Sequence, residues 1–320
     1  MPAPRHALLL TAGFGTRLRP LTEVRAKPAI PVAGEPLVRR IIAWLAASGV
    51  TQLVLNLHHL PETLTAAVGD GSDLSAHVRY SWEQPAVLGS AGGPRQALPI
   101  IGAETFLIVN GDTLTDVELG AVAAAHAASC ALVTLALVPN AEPHRYGGVR
   151  LDAEGAVIGF AARGPAAAGS YHFIGVQVAS AEVFRSVPAG AAVNSIGGLY
   201  NDVIAARPGA IRGYVCRARF WDVGTPLDYV KTSAAFSTDP AGTDRGQRVR
   251  IDPSARVDRT ILWDDVDVGA RAVLEDCIVT DGARVPADAV YRRAIVRRAN
   301  DGELAVSPLR QSIHAQSTHR

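Results

Sequence analysis

From Ala7 to Pro139 the chain alternates short apolar runs with segments of helical period, and glycine or proline marks most of the changes. The runs beginning at Ala7, Gln52 (QLVLNL), His77 (HVRYSWE), Thr105 (TFLIVNGD) and Cys130 (CALVTLALV) are short and, for the most part, continuously apolar. Such runs read as strands buried on both faces. Between them, PLVRRIIAWLAASG from Pro36, LPETLTAAVGDG from Leu60, GGPRQALPII from Gly92 and an alanine-rich stretch over 121–128 read as helices. Pro36 suits a first helical turn and Gly49 a C-terminal stop. Strand–helix alternation of this kind means βαβ units, hence an α/β fold with a mostly parallel sheet covered on both faces.

The alternation loosens after Pro139. GGVRLDAEGAVIGF from Gly147 reads as a hairpin turning at Glu154-Gly155, and YHFIGVQVAS from Tyr171 as a further strand. AIRGYVCRARFWDVGT from Ala210 brings a strand to a glycine turn, and a helix is expected from Pro226 to about Phe236. The expected organisation is a catalytic domain over 1–236, a polar linker over 237–250 (STDPAGTDRGQ), a repeat segment over 251–300 and a frayed polar tail over 301–320. In the repeat segment Ile251, Val257, Trp263, Val268, Leu274, Val279 and Val285 stand 6, 6, 5, 6, 5 and 6 apart. A near-hexad apolar repeat separated by small residues marks the coils of a β-helix, with ordinary short strands as the alternative.

Net charge is +1, which argues against a general nucleic-acid or membrane-surface binder. No apolar run reaches the roughly 18 residues of a membrane span. HALLL is too short for a signal-peptide core. Cys130, Cys216 and Cys277 are far apart and lack metal-ligand spacing, so buried free thiols in a reducing cytoplasm are expected. The histidines share no ligand spacing, and no zinc site is expected.

Against that neutral background, TAGFGTRLRPLTEVRAKP (Thr11–Pro28) is locally basic. A strand entering a glycine turn lets backbone N–H groups approach an anion. Gly13-x-Gly15 lacks the third glycine of the dinucleotide fingerprint, and no Gly-Lys-Ser/Thr follows as in a P-loop. Arg17 just after the turn, and Lys27-Pro28 ten residues on, strengthen a phosphate-binding reading. Lys27 before proline is expected to be extended. Arg19 and Arg25 read as solvated charges without a role.

LTAGFGTRLRPLTEVRAKPAIPVAGEPL resembles the signature of the sugar-1-phosphate nucleotidyltransferases. LGSAGG at Leu88–Gly93, VNGD ending at Asp112, YGGV at Tyr146–Val149, FIGVQV at 173–178 and FWDVGTPLDY at Phe220–Tyr229 are similar, in order, to further motifs of that family. The resemblance implies a Rossmann-like (GT-A-like) nucleotidyltransferase sheet with a short C-terminal left-handed β-helix. It implies a reaction in which a sugar-1-phosphate oxygen attacks the α-phosphorus of a nucleoside triphosphate and pyrophosphate leaves.

The roles implied are catalytic for Arg17 and Lys27. Ala12, Gly13, Gly15, Thr16, Glu83, Leu88, Gly89 and Ser90 would bind the nucleotide, and Gly148, Arg163 and Gly175 the sugar phosphate. Asp112 and Asp222 would hold Mg²⁺, each with a turn-forming role as its alternative. Glu83 leans toward guanine, whose N1–H and N2–H one carboxylate can accept together; a capping or solvent-facing glutamate is the alternative. Gln84 would suit a pyrimidine edge. The chain departs from the family at ARGP (Ala162–Pro165), where many members carry E-K-P, and at Ser170, where asparagine is common. GDP-mannose-type chemistry is preferred. Uridylyl transfer to glucose 1-phosphate or an amino-sugar phosphate such as N-acetylmuramate 1-phosphate is the second reading, and a non-catalytic nucleotide-sugar sensor the third. The open edge of a β-helix end favours a homo-oligomer.

Overall fold

A computed structural model describes residues 4–239, 242–299 and 301–310. The chain packs as two compact units that do not follow sequence order. One comprises Met1–Gly13 with Val38–Trp221, the other Phe14–Leu37 with Asp222–Arg320.

The first unit is built on a nine-stranded sheet. Its parallel part runs Thr105–Asn110, His6–Leu10, Gln52–Leu57, His77–Trp82, with Leu9 beside both Val109 and Leu55. These are the apolar runs of the sequence, and Leu8, Leu9, Leu53, Leu55, Phe106 and Ile108 are fully buried. Helices Leu37–Ala47, Pro61–Val68, Gly89–Ile101 and Leu119–Ala128 occupy the expected intervals. The third begins three residues earlier than its pattern suggested, so Gly89 and Ser90 form its first turn and not a free loop.

The sheet is mixed beyond the Thr105–Asn110 strand. Tyr171–Ser180 runs antiparallel to it and also to Val133–Pro139, which pairs in parallel with Ile211–Val215. Gly148–Leu151 and Val157–Ala161 form the expected antiparallel hairpin at one edge. The register of Tyr171–Ser180 shifts between Phe173 and Gln177, where Gly175 takes a φ of 78°.

The second unit holds three 3-10 turns, Thr16–Leu18, Leu21–Glu23 and Lys27–Ala29, then a small hairpin, the helix Pro226–Phe236 and the β-helix. Its strands stack in parallel at a constant offset of 17: Asp244, Ile261, Ile278 and Ile295 on one face, Arg250 and Asp267 on the next, Arg256, Val273 and Val290 on the third. The slips to five in the hexad pattern are therefore part of the repeat, one coil being two sides of six residues and one of five. Non-glycine residues occupy left-handed corners, among them Arg248, Asp265, Arg271 and Asp288. Across successive coils the corners carry opposite charges, as in Arg248–Asp265 and Arg271–Asp288.

Leu304–Pro308, expected within a frayed tail, is a strand antiparallel to Ala294–Arg298. The alternating backbone of that stretch pairs the last coil strand on its face, so the open-edge argument for self-association loses that face. Residues 311–320 of the expected tail lie outside the described residues, as do 240 and 241 of the expected linker and 300 at the end of the expected repeat segment. All three cysteines are free, but only Cys277 is buried. Cys130 is exposed because it follows the C-terminal end of a surface helix. No helix among the described residues is long and apolar enough to cross a membrane.

Candidate active site

Because four strands of the first unit are parallel, their C-terminal ends share one edge, where open α/β sheets bind ligands. Thr11, Asn56, Glu83 and Asp112 follow or close those strands. A buried relay links three of them. The Thr11 N–H donates to Asn56 Oδ1 at 2.5 Å, and the Thr11 hydroxyl to the Asn56 carbonyl. Asn56 Nδ2 donates to Glu83 Oε1 at 2.6 Å, and the Leu88 N–H to Glu83 Oε2 at 2.6 Å. Glu83 is 0% exposed. Both its oxygens are engaged inside the protein and no base can reach it, so the expectation that it reads guanine is corrected. It caps the approach to the Gly89–Ile101 helix, and Gln84 beside it is exposed. A Cβ at Gly93 would collide with Glu83 Oε1 and lie 2.9 Å from Asn56 Nδ2, so the helix can only seat on this relay through glycine.

Gly89 has a φ of 75°, and a Cβ there would lie 2.7 Å from the Val193 carbonyl oxygen. That carbonyl accepts from Ala91 N–H (2.9 Å) and Gly92 N–H (3.1 Å), satisfying donors of the helix's first turn. The Ser90 hydroxyl accepts from Ser195 N–H at 2.8 Å. Gly89 and Ser90 thus serve the packing of the Val193–Ser195 segment, which the sequence reading passed over. Leu88 is buried. Asn56 was also missed; its signal was a lone polar residue inside an apolar strand.

Asp112 stands two residues beyond its strand and is half-buried. Arg219 fixes the neighbouring chain: its N–H and Nε donate to Asp116 at 2.7 Å each, and its carbonyl accepts from the Thr115 hydroxyl at 2.8 Å. The segment that leads into Asp222 therefore runs beside the segment that leaves Asp112.

Among the residues expected to meet the sugar phosphate, a Cβ at Gly175 would lie 3.0 Å from Asn110, and one at Gly148 would collide with the Ser170 hydroxyl. Gly148 is buried and strand-paired to Ala161, while Arg163 is exposed in the following loop. Beside them Tyr146, His172 and Phe220 pack as a ring cluster, with centroid distances of 4.2 Å (Tyr146–His172) and 4.8 Å (His172–Phe220). Burial lowers the His172 pKa to about 4; the Gly147 backbone contact opposes that shift and Arg145 adds to it. The imidazole is therefore neutral at physiological pH.

In the second unit the glycine turn continues. Ala12 is buried and Gly13 exposed at the end of the first unit; Gly15, Thr16 and Arg17 follow. Gly15 has a φ of 60°, and a Cβ there would lie 2.7 Å from Thr22 Cγ2 and 3.1 Å from Lys27 Cβ. The loop closes on itself through this contact and through the Thr22 hydroxyl, which donates to the Gly15 carbonyl at 3.1 Å. Lys27 is only 8% exposed. It lies in a 3-10 turn and not in the extended form expected before proline, because Ala29 N–H bonds back to Ala26 (2.8 Å) and Ile30 N–H to Lys27 (3.2 Å). Arg17 is exposed. A Cβ at Gly224 would lie 2.8 Å from Asp222 Oδ2, 3.3 Å from Asp228 Oδ2 and 3.4 Å from Arg17 Nη1, so these three groups crowd one glycine. Thr225 caps the Pro226–Phe236 helix by accepting from Asp228 N–H at 3.2 Å.

A family model described as Nucleotidyl transferase matches residues 6–238, nearly three quarters of the chain. The chain belongs to the nucleotidyl transferase family. This nucleotidyltransferase is 30% identical to the mannose-1-phosphate guanylyltransferase of Mycobacterium tuberculosis over 298 residues, which are 90% of this chain and 83% of that enzyme. It is 44% identical to the N-acetylmuramate alpha-1-phosphate uridylyltransferase of Neisseria meningitidis over 115 residues, 36% of this chain and 50% of that enzyme. Its fold is that of HddC from Yersinia pseudotuberculosis, solved as a complex with GMP-PN: the TM-score is 0.63 at 22% identity, over 72% of this chain and 99% of that one. The nucleotidyltransferase is an enzyme of the sugar-1-phosphate group, with the Rossmann-like sheet and β-helix that the resemblance implied.

Proposed function

We propose that this nucleotidyltransferase condenses a nucleoside triphosphate with a sugar 1-phosphate, and that guanylyl transfer to a mannose-type 1-phosphate is its leading activity. A phosphate oxygen of the sugar 1-phosphate forms a bond to the α-phosphorus, the bond from that phosphorus to the bridging oxygen breaks, and pyrophosphate leaves with the electron pair. The protein's part is to align two polyanions and absorb charge on the leaving group. Arg17 would hold the departing phosphates in a bidentate fork. Lys27 would sit at the α-phosphate as a point charge.

Asp112 and Asp222 would hold a divalent cation, Mg²⁺ by preference. Two half-buried carboxylates fit a hard cation that takes its remaining oxygens from phosphates and water. Bound there, the ion would screen the two anions from each other.

The observation that carries the reading is the packing of the glycine turn on Lys27, which is only 8% exposed and lies 3.1 Å from where a Cβ on Gly15 would be, so that the turn and the lysine belong to one local site of the kind that receives a phosphate. The guanylyl preference rests on similarity that extends over 90% of the chain. Uridylyl transfer is the second reading, favoured by the more identical 115-residue match and by the withdrawal of Glu83 from base recognition. Pyrophosphate release, measured with each triphosphate against a panel of sugar 1-phosphates, decides between them. Release with GTP and mannose 1-phosphate at the highest kcat/KM is expected. A UTP optimum would transfer the chain to the second reading, and no release with any pair would favour a sensor.

A further inference from the structure

Arg25 looked like a solvated charge in the sequence, yet its side chain is 15% exposed and fully engaged. Nε donates to Asp281 Oδ2 at 2.6 Å, and Nη2 to Asp281 Oδ1 at 2.7 Å and to Asp264 Oδ2 at 2.6 Å. The guanidinium also lies 5.4 Å from the centroid of the Trp263 ring. Asp264 and Asp281 are 17 residues apart, so they occupy the same place on two successive coils, tied by Asp264 N–H donating to Asp281 Oδ1 at 3.1 Å. A second strut runs in parallel: the buried Trp263 Nε1 donates to the Tyr229 hydroxyl at 3.0 Å, which donates to the Pro31 carbonyl at 2.5 Å. Lys27 sits between these two anchor points, two residues after Arg25 and four before Pro31.

The β-helix is thus bolted to the chain on both sides of Lys27. A bidentate guanidinium held by two carboxylates has a fixed plane and direction, which a surface ion pair does not. With Arg25 and Pro31 both fixed, the backbone of the Lys27–Ala29 turn has little freedom left, and the Lys27 side chain departs from a set point. We propose that Arg25 is a positioning residue for nucleotidyl transfer, and that Asp264 and Asp281 make the β-helix the scaffold that aims Lys27. This inference rests on the reading of Lys27 as the group at the α-phosphate. It also gives the β-helix a part in the reaction that no substrate contact requires.

The test is a double-mutant cycle of Arg25→Met and Lys27→Met in the full chain, with kcat, both KM values and thermal unfolding measured for each variant. Lys27→Met is expected to lower kcat by roughly 10²-fold or more, the effect of losing one preorganised donor. Arg25→Met is expected to lower kcat by about 10- to 10²-fold with sugar-phosphate KM changed less than about 3-fold, the scale of a group displaced by about an ångström. The double variant is expected to match Lys27→Met within about 3-fold, because Arg25 has nothing left to aim. Additive losses would overturn the proposal, since they mean that Arg25 acts otherwise than through Lys27. A wild-type rate for folded Arg25→Met would overturn it too. A wild-type rate for Lys27→Met would instead overturn the functional reading beneath it. Should Arg25→Met fail to fold, Asp264→Asn keeps the shape and removes one charge, and the same cycle with Lys27→Met applies.

Discussion

Glu83 points its carboxyl group inward. It accepts from both Asn56 Nδ2 and Leu88 N–H, and each buried donor left unmet costs about 1–3 kcal/mol. Glu83→Ala should therefore lower stability by about 2–5 kcal/mol in urea unfolding and raise the triphosphate KM as the Leu88 turn loosens. A variant as stable as wild type would contradict the relay. His172 offers a pH test. Its native pKa of about 4 lies below the ordinary 6.5, so between these values the unfolded chain binds a proton that the native one does not. Stability from this group is full above pH 6.5 and is lost as pH falls to 4, by up to about 3 kcal/mol. His172→Phe should flatten that limb, and an unchanged acid limb would count against it. Residue identity and spacing from the glycine turn put Arg17 and Lys27 forward as candidates. They could not reveal that Glu83 points into the core, or that Arg25 finds carboxylates 239 and 256 positions away.

Elements were legible where period and punctuation agreed. The helix from Pro226 ends at Phe236 as its pattern implied, and the parallel strands match their apolar runs to within a residue or two. Direction was not legible: an apolar run such as Tyr171–Ser180 looks the same whether its neighbours run with it or against it. The β-helix shows the converse. Its spacings of six and five looked like an imperfect hexad, and only the stacking shows that a five-residue side recurs in every coil. Backbone demands at element ends can be tested through Gly89. Its left-handed φ and the Val193 carbonyl 2.7 Å from a Cβ both oppose alanine. Gly89→Ala should cost at least about 1 kcal/mol and weaken triphosphate binding, measured by thermal unfolding and by KM. A neutral substitution would show that the Val193–Ser195 segment yields freely.

At the scale of the molecule, packing cuts across sequence order. The basic segment 14–37 belongs with the helix after Asp222 and with the β-helix, while the strand end that leads to Asp112 belongs with the sheet. A linear reading cannot anticipate this, because the joining contacts, such as Tyr229 to Pro31 and Arg25 to Asp281, span about 200 residues or more. The most direct measurement is anomalous scattering from a crystal of the chain with Mn²⁺ and a non-hydrolysable triphosphate. The account predicts a single manganese within about 2.2 Å of a carboxylate oxygen from both Asp112 and Asp222 and of a phosphate oxygen, with Lys27 at the α-phosphate. A manganese bound away from either aspartate, or a triphosphate out of reach of Lys27, would contradict it.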